Sequence, residues 1–216
     1  MPALANRTHK PRWRRRPDRR PDEILDAALR VFARCGLHKT NLDEVAKEAG
    51  ISKGTIYLYF KDKEELFVAA AHRVVPSPDE IYREPNLVPT GAGLSQLLHQ
   101  VARTAYRRFC TPAYLAFFSM MTAEVLRHPE WGEIYFRRIG LELNRRIADI
   151  LARAMQAGEC RKVDPLLAAR SFIGMFLIMA LTQEHMGGKK YTPLSERKII
   201  DSLTDIFLHG IVPEGK

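Results

Sequence analysis

Thr40 to Lys63 reads Thr-Asn-Leu-Asp-Glu-Val-Ala-Lys-Glu-Ala-Gly-Ile-Ser-Lys-Gly-Thr-Ile-Tyr-Leu-Tyr-Phe-Lys-Asp-Lys, and this stretch decides the fold. Leu42, Val45, Ala46 and Ala49 recur at the spacing of one helical face. Thr40 or Asn41 can cap the start, because either side-chain oxygen can accept from a free backbone N–H. Gly50 stops the helix, since glycine takes positive φ without a Cβ clash. Ser52 caps a second helix whose inner face carries Ile56 and Phe60. Two short helices about a glycine-containing turn form a helix-turn-helix, whose second helix is shaped for a major groove.

The outer edge of that second helix carries the chemistry. Lys53, Gly54 and Thr55 occupy its first turn, where free N–H groups and the dipole favour phosphate. Gly54 costs roughly 1 kcal/mol against alanine in a helix, and its benefit is close backbone approach to DNA. Tyr57 and Tyr59 add hydroxyls on aromatic stems, and Lys61 and Lys63 follow. Together they make a row of phosphate and base-edge donors.

The run Gly-Ile-Ser-Lys-Gly-Thr-Ile-Tyr-Leu-Tyr-Phe-Lys-Asp-Lys-Glu-Glu-Leu, Gly50 to Leu66, closely resembles the signature of the tetracycline-repressor (TetR/AcrR) family of bacterial transcriptional regulators. Glu23-Ile24-Leu25-Asp26-Ala27-Ala28 and Phe32-Ala33-Arg34-Cys35-Gly36 resemble that family's first helix. The likeness covers about residues 20 to 70 and is architectural beyond. Leu58 stands where many relatives carry a polar or aromatic residue. The resemblance implies that Tyr57, Tyr59, Lys63 and the Thr40 hydroxyl hold phosphates, and that Lys53, Gly54 and Thr55 lie against base edges. It also implies a cytoplasmic homodimer on a palindromic double-stranded operator. There, an unidentified small-molecule effector in the body changes the separation of the two heads.

The chain's 216 residues allow one large domain or two small ones. The formal net charge is +9, and residues 1 to 20 hold eight basic side chains against Asp18 alone. The protein therefore reads as a nearly neutral body with a basic arm, suited to a polyanion. Arg14, Arg15 and Arg16, beside Trp13, are the arm's expected DNA contacts, in the manner of arginines that read minor-groove shape. Cys35, Cys110 and Cys160 form no CxxC pair and read as free thiols of a reducing compartment. No apolar run opens the chain as a secretory signal does.

Pro21 to Cys35 reads as a helix with Ile24, Ala28, Val31 and Phe32 inward. A helix from about Asp62 to Val75 follows, and prolines and glycines between Asp79 and Gly93 predict mostly loop. Further helices are expected over Leu94–Phe109, Thr111–Arg127, Glu130–Ala157, from Asp164 onward, and over Ser195–His209, with Gly187 to Lys190 a flexible basic loop. No alternating β-branched runs with hairpin turns occur. The expected fold is all-α, with a flexible arm over 1–20, a three-helix DNA-binding head over 21–66 and a helical regulatory and dimerisation body over 67–216.

Ser171 to Leu181 is apolar almost all round, so it expects burial on every side, yet it is shorter than the ~20 residues a bilayer span needs. No membrane partner is expected. Met175, Ile178 and Met179 from this helix, with Ile199, Leu203, Ile206 and Phe207 from the last, can pair two subunits in a four-helix packing. The alternative is that they fill the monomer core. Phe109, Phe117, Met121, Trp131, Tyr135, Phe172 and Phe176 are candidates to line an effector pocket, although aromatics at helical spacing are more often core.

An enzyme needs a constellation the sequence lacks. There is no HExxH, no GxSxG, no Cys-His motif and no phosphate-cradling glycine loop. No cofactor and no metal are expected, because the histidines show no ligand spacing. A constitutive nucleoid-type DNA-binding protein without an effector is the alternative reading.

Overall fold

The computed structural model describes residues 20–75, 77 and 92–211, and among these it is all-α, with no strand. The helices are α1 (Arg20–Cys35), α2 (Leu42–Ala49), α3 (Lys53–Tyr57), α4 (Lys63–Val74), α5 (Ala92–Phe109), α6 (Pro112–Val125), α7 (Pro129–Tyr135), α8 (Leu141–Gln156), α9 (Pro165–Ala180), α10 (Gly188–Tyr191) and α11 (Glu196–Ile211). The expected arm contacts Arg14, Arg15 and Arg16 and nearly all of the expected 79–93 loop lie outside the described residues.

Local chemistry sets the boundaries. Asp62, Thr111 and Asp164 each accept from the backbone N–H three residues on, starting α4, α6 and α9. Pro112, Pro129 and Pro165 occupy first turns, where a missing N–H costs nothing. Ile24, Ala28, Val31 and Phe32 of α1 are fully buried, each of the larger ones contributing ~1.5–3 kcal/mol relative to exposure. α1 packs on α2, α4 and α6, while α9 packs on α8, α5 and α11, so one continuous core runs from the N-terminal helices into the rest.

Three expectations about regular structure change. The helix expected over Glu130–Ala157 is continuous but contains a π turn, Phe136–Gly140, between α7 and α8. A second π turn, Leu181–His185, extends α9, so Pro165–His185 runs for 21 residues and is long and apolar enough to cross a membrane. That overturns the shorter length inferred from the apolar run. Only 33% of its most apolar window is buried within the monomer. Gly187 to Lys190 is not a loose loop. After Gly187 at φ +78, Gly188–Tyr191 form a helical turn that leaves no room for a Cβ beside Thr182, and Lys189 pairs with Glu184.

Candidate nucleic-acid interface

Asn41, not Thr40, caps α2. Its side chain accepts from Glu44 N (2.9 Å) while the Glu44 carboxylate accepts from Asn41 N (3.2 Å), a reciprocal capping box. Gly50 closes α2 at φ +65, and Ser52 caps α3 by accepting from Thr55 N (3.2 Å). Ile56 and Phe60 anchor this unit in the core. The helical part of the second element is five residues long, and Leu58 to Phe60 continue as a turn. Arg30 and Arg34 of α1 clasp Glu48 of α2 at 2.8 and 3.3 Å, and these cations hold its carboxyl below the usual range.

With α2 and α3 fixed from behind, the exposed edge is Lys53, Gly54, Tyr57, Leu58 and Tyr59, with Thr55 half-buried. Lys53 Nζ donates to Asp43 at 2.8 Å, and this bond holds its ammonium above its ordinary value. Such a solvent-exposed pair is a weak competitor for a phosphate or base edge. A Cβ on Gly54 meets nothing nearer than the Ser52 hydroxyl at 3.9 Å, so no protein neighbour requires glycine there. Sequence reasoning left Leu58 out of the edge. It is 80% exposed, the most exposed large apolar side chain of this region, and the available chemistry is contact with a thymine methyl. Its missing partner on the inner face was the one signal for it.

Two expected phosphate ligands face inward instead. Thr40 is buried, and its hydroxyl donates to Gly36 O at 2.6 Å, closing the turn after α1 rather than offering a donor to DNA. Lys63 Nζ donates to Leu37 O (3.0 Å), His38 O (2.7 Å) and Thr40 O (3.0 Å). All three of its protons are used. It also lies 5.4 Å from the centroid of the Trp131 ring, and desolvation lowers its pKa, with Glu124 opposing. Lys63 is thus an internal clamp between α4 and the turn that leads into α2.

The turn over Gly36–Thr40 is held from the C-terminal side as well. Glu124 of α6 accepts from His38 N at 3.0 Å. Gly36, at φ +79, brings the backbone so close to that carboxylate that a Cβ would collide with it.

The other proposed sites are only partly assembled. The seven pocket candidates fall into separate aromatic groups. Phe117, Trp131 and Tyr135 join Phe67 in one, with Phe67 5.5 Å from Trp131 and Phe117 6.0 Å from Tyr135. Phe109 pairs with Tyr114, and Phe172 with Phe176 and Phe207. Met121 is buried. Among the described residues they pack in these separate groups as core. Two clefts of about 500 Å³ have other walls, one between α1 and α6, the other among Tyr106, Cys110, Glu184 and Glu196. Of the pairing residues, Ile178 (58%) and Ile206 (62%) are exposed, and Met175, Met179 and Leu203 half-buried. Ile199 and Phe207 are core instead, with the Phe207 ring tilted against Phe172 at 4.8 Å between centroids.

The sequence matches the model of the bacterial regulatory proteins of the tetR family over residues 24–70, and that of the AefR-like transcriptional repressor C-terminal domain over residues 96–210, more than half of the chain. The protein belongs to the TetR family and is a helix-turn-helix transcriptional regulator. The HTH-type transcriptional regulator YfiR of Bacillus subtilis (strain 168) is 30% identical over 164 residues, 73% of this chain and 77% of that one. The fatty acid metabolism regulator protein of the same organism is 47% identical over 47 residues. That match spans 22% of this chain and about a quarter, 24%, of the relative's length. The solved structure of the flavonoid-responsive regulator FrrA is similar over 92% of this chain and 100% of that one, with a TM-score of 0.66 at 28% identity.

Proposed function

We propose that the protein is a homodimeric repressor that binds a palindromic operator and is released by a small molecule held in its C-terminal helices. The observation that carries the DNA part is the edge of α3. Lys53, Tyr57, Leu58 and Tyr59 project from a unit whose caps and core contacts fix it, with Lys53 held only by its exposed pair to Asp43. In this reading Tyr57 and Tyr59 hold phosphates, Lys53 and Thr55 meet base edges, and Gly54 allows the backbone in. The first 20 residues add salt-sensitive affinity.

The unequal burial of α9 and α11 supports dimerisation through these helices. Leu167, Ile178 and Ile206 present apolar surface that the monomer does not cover. A two-fold pairing of these helices buries it, and sets two heads at the spacing of successive grooves, ~34–36 Å or a multiple. The same pairing accounts for the membrane-like composition of α9, and the protein acts in the cytoplasm. The similarity to a flavonoid-responsive regulator, which extends through the C-terminal helices, supports an aromatic effector.

Selection of bound duplexes from a random pool tests the reading. The expected result is one enriched inverted repeat, from which a subset of apolar metabolites displaces the protein. Uniform retention of all sequences, with no metabolite effect, identifies a nucleoid-type binder and overturns it.

A further inference from the structure

We propose that His38, His128 and Glu130 form a binding site for a divalent transition-metal ion of the zinc, nickel and cobalt class, joining the turn before α2 to the start of α7. Spacing along the chain hides this set, because His38 is far from the other two. The fold brings them together, with ring nitrogens and carboxylate oxygen all within 4.8 Å of one another. Glu130 Oε1 is 3.5 Å from His128 Nδ1 and 3.9 Å from His38 Nδ1. Ligands held ~2.0–2.1 Å from one tetrahedral ion sit about 3.4 Å apart, so the carboxylate is already near coordinating distance from both rings.

The two imidazoles lie 3.6 Å apart and within 3° of parallel. Face-to-face stacking is the arrangement that ring quadrupoles disfavour. Parallel rings cannot aim in-plane lone pairs at one point, so coordination requires one ring to turn about its Cβ–Cγ bond. The His38 side chain is 51% exposed and has room to do so. Two imidazoles and one carboxylate, with a fourth position open to water, suit zinc-class ions and disfavour magnesium and calcium, which prefer oxygen.

The backbone that carries His38 is fixed on both sides. Its N–H donates to Glu124 and its carbonyl accepts from Lys63 Nζ. The site opens on the cleft of about 500 Å³ between α1 and α6, which gives an ion a path in. Lys39 and Arg127 on the same wall oppose a cation and moderate the affinity. A bound ion links the helix-turn-helix side to the C-terminal side at one point, and so favours the relative placement seen here. This makes the metal a second input, separate from any organic effector.

The test uses chelator-stripped full-length protein titrated with zinc chloride by calorimetry and followed by thermal melting. One ion per chain and a raised melting temperature are expected. Glu130→Gln and His38→Gln, both at exposed positions, are each expected to weaken binding about tenfold or more. Absence of saturable binding, or equal affinity in wild type and both variants, overturns the proposal. Cobalt substitution separates the sources of ligands. Bands of a nitrogen- and oxygen-ligated ion support the site, whereas an intense thiolate-to-cobalt band places the ion on cysteine, such as the nearby Cys35, and overturns it.

Discussion

Replacing Lys63 by methionine separates an internal clamp from a phosphate ligand. The substitution keeps an unbranched chain of similar reach and removes the ammonium. Three hydrogen bonds are lost, to the carbonyls of Leu37, His38 and Thr40, of which the Leu37 and Thr40 bonds are partly buried. An unmet buried acceptor costs ~1–3 kcal/mol, and water reaches this site in part, so each of the two partly buried carbonyls contributes about 1–1.5 kcal/mol. The His38 carbonyl is exposed and rehydrates at little cost. The expected destabilisation is therefore about 2–3 kcal/mol. For a chain of this size that lowers the melting temperature by roughly 4–12 °C. Urea and thermal unfolding at fixed protomer concentration measure it, alongside operator affinity as a function of salt. A phosphate ligand behaves oppositely. Its loss leaves stability unchanged and reduces the slope of log affinity against log salt by ~0.9 per phosphate. Unchanged unfolding with a reduced slope would falsify the clamp.

Ile178→Asp combined with Ile206→Asp places charge on the exposed apolar face and is expected to yield a folded monomer in analytical ultracentrifugation; a persistent dimer locates pairing elsewhere. Gly36→Ala forces a side chain into a positive-φ position against the Glu124 carboxylate and is expected to cost about 1–3 kcal/mol in urea unfolding; a loss under ~0.5 kcal/mol shows that the turn yields freely. Burial pushes the Tyr135 phenol up to about 12 and those of Tyr106 and Tyr114 higher still. Their contribution is complete below ~10, the unfolded value. Above it the unfolded chain binds fewer protons, so stability falls as pH rises toward the folded values. Lys63, lowered by desolvation, acts in the opposite sense, but it is one group against three. Tyrosinate absorbance from these three is expected to appear only as helical circular dichroism is lost, and the full amplitude of seven tyrosines with the helices intact contradicts their burial.

Local rules carried the reading where neighbours in sequence are also neighbours in space. The α1 stripe, the Asn41 and Ser52 caps and the Gly50 stop are all decided within one or two turns, and all stand. Long-range contacts decided the errors. A lysine in the first turn of α4 looks like a solvent-facing donor until Trp131 covers it and three carbonyls converge on it. A threonine before a helix looks like a cap or a phosphate donor until the preceding turn captures its hydroxyl. Ile199 and Ile206 share an apolar pattern, and only the placement of α5 and α9 against α11 decides that the first is core and the second surface. The π turn at Phe136–Gly140 does leave a mark, because the step from Ile134 to Ile139 is five residues where a regular helical stripe advances by three or four, but one irregular step is easily read as a skipped position.

The clamps on the Gly36–Thr40 turn bear on how a signal could pass between the two parts. The apolar contact between them is a column of rings, Phe32 against Phe67 and Phe67 against Phe117 and Trp131. Separating such a column exposes large buried surfaces and is costly. The polar links around it are partly hydrated and cost much less to exchange. Glu124 reaches the turn from α6, Lys63 reaches it from the start of α4, and Arg138 in the π turn meets Glu64 beside Lys63 at 3.4 Å. Arg170 of α9 lies over Phe136 at 4.8 Å, extending the chain of contacts to the helix offered for pairing. A shift of α6 or of the π turn must therefore be felt at both ends of the α2–α3 unit while the rings remain packed. A bias of a few kcal/mol suffices to move such an equilibrium. Exchange of two or three partly exposed hydrogen bonds supplies that amount, whereas opening the aromatic column exceeds it.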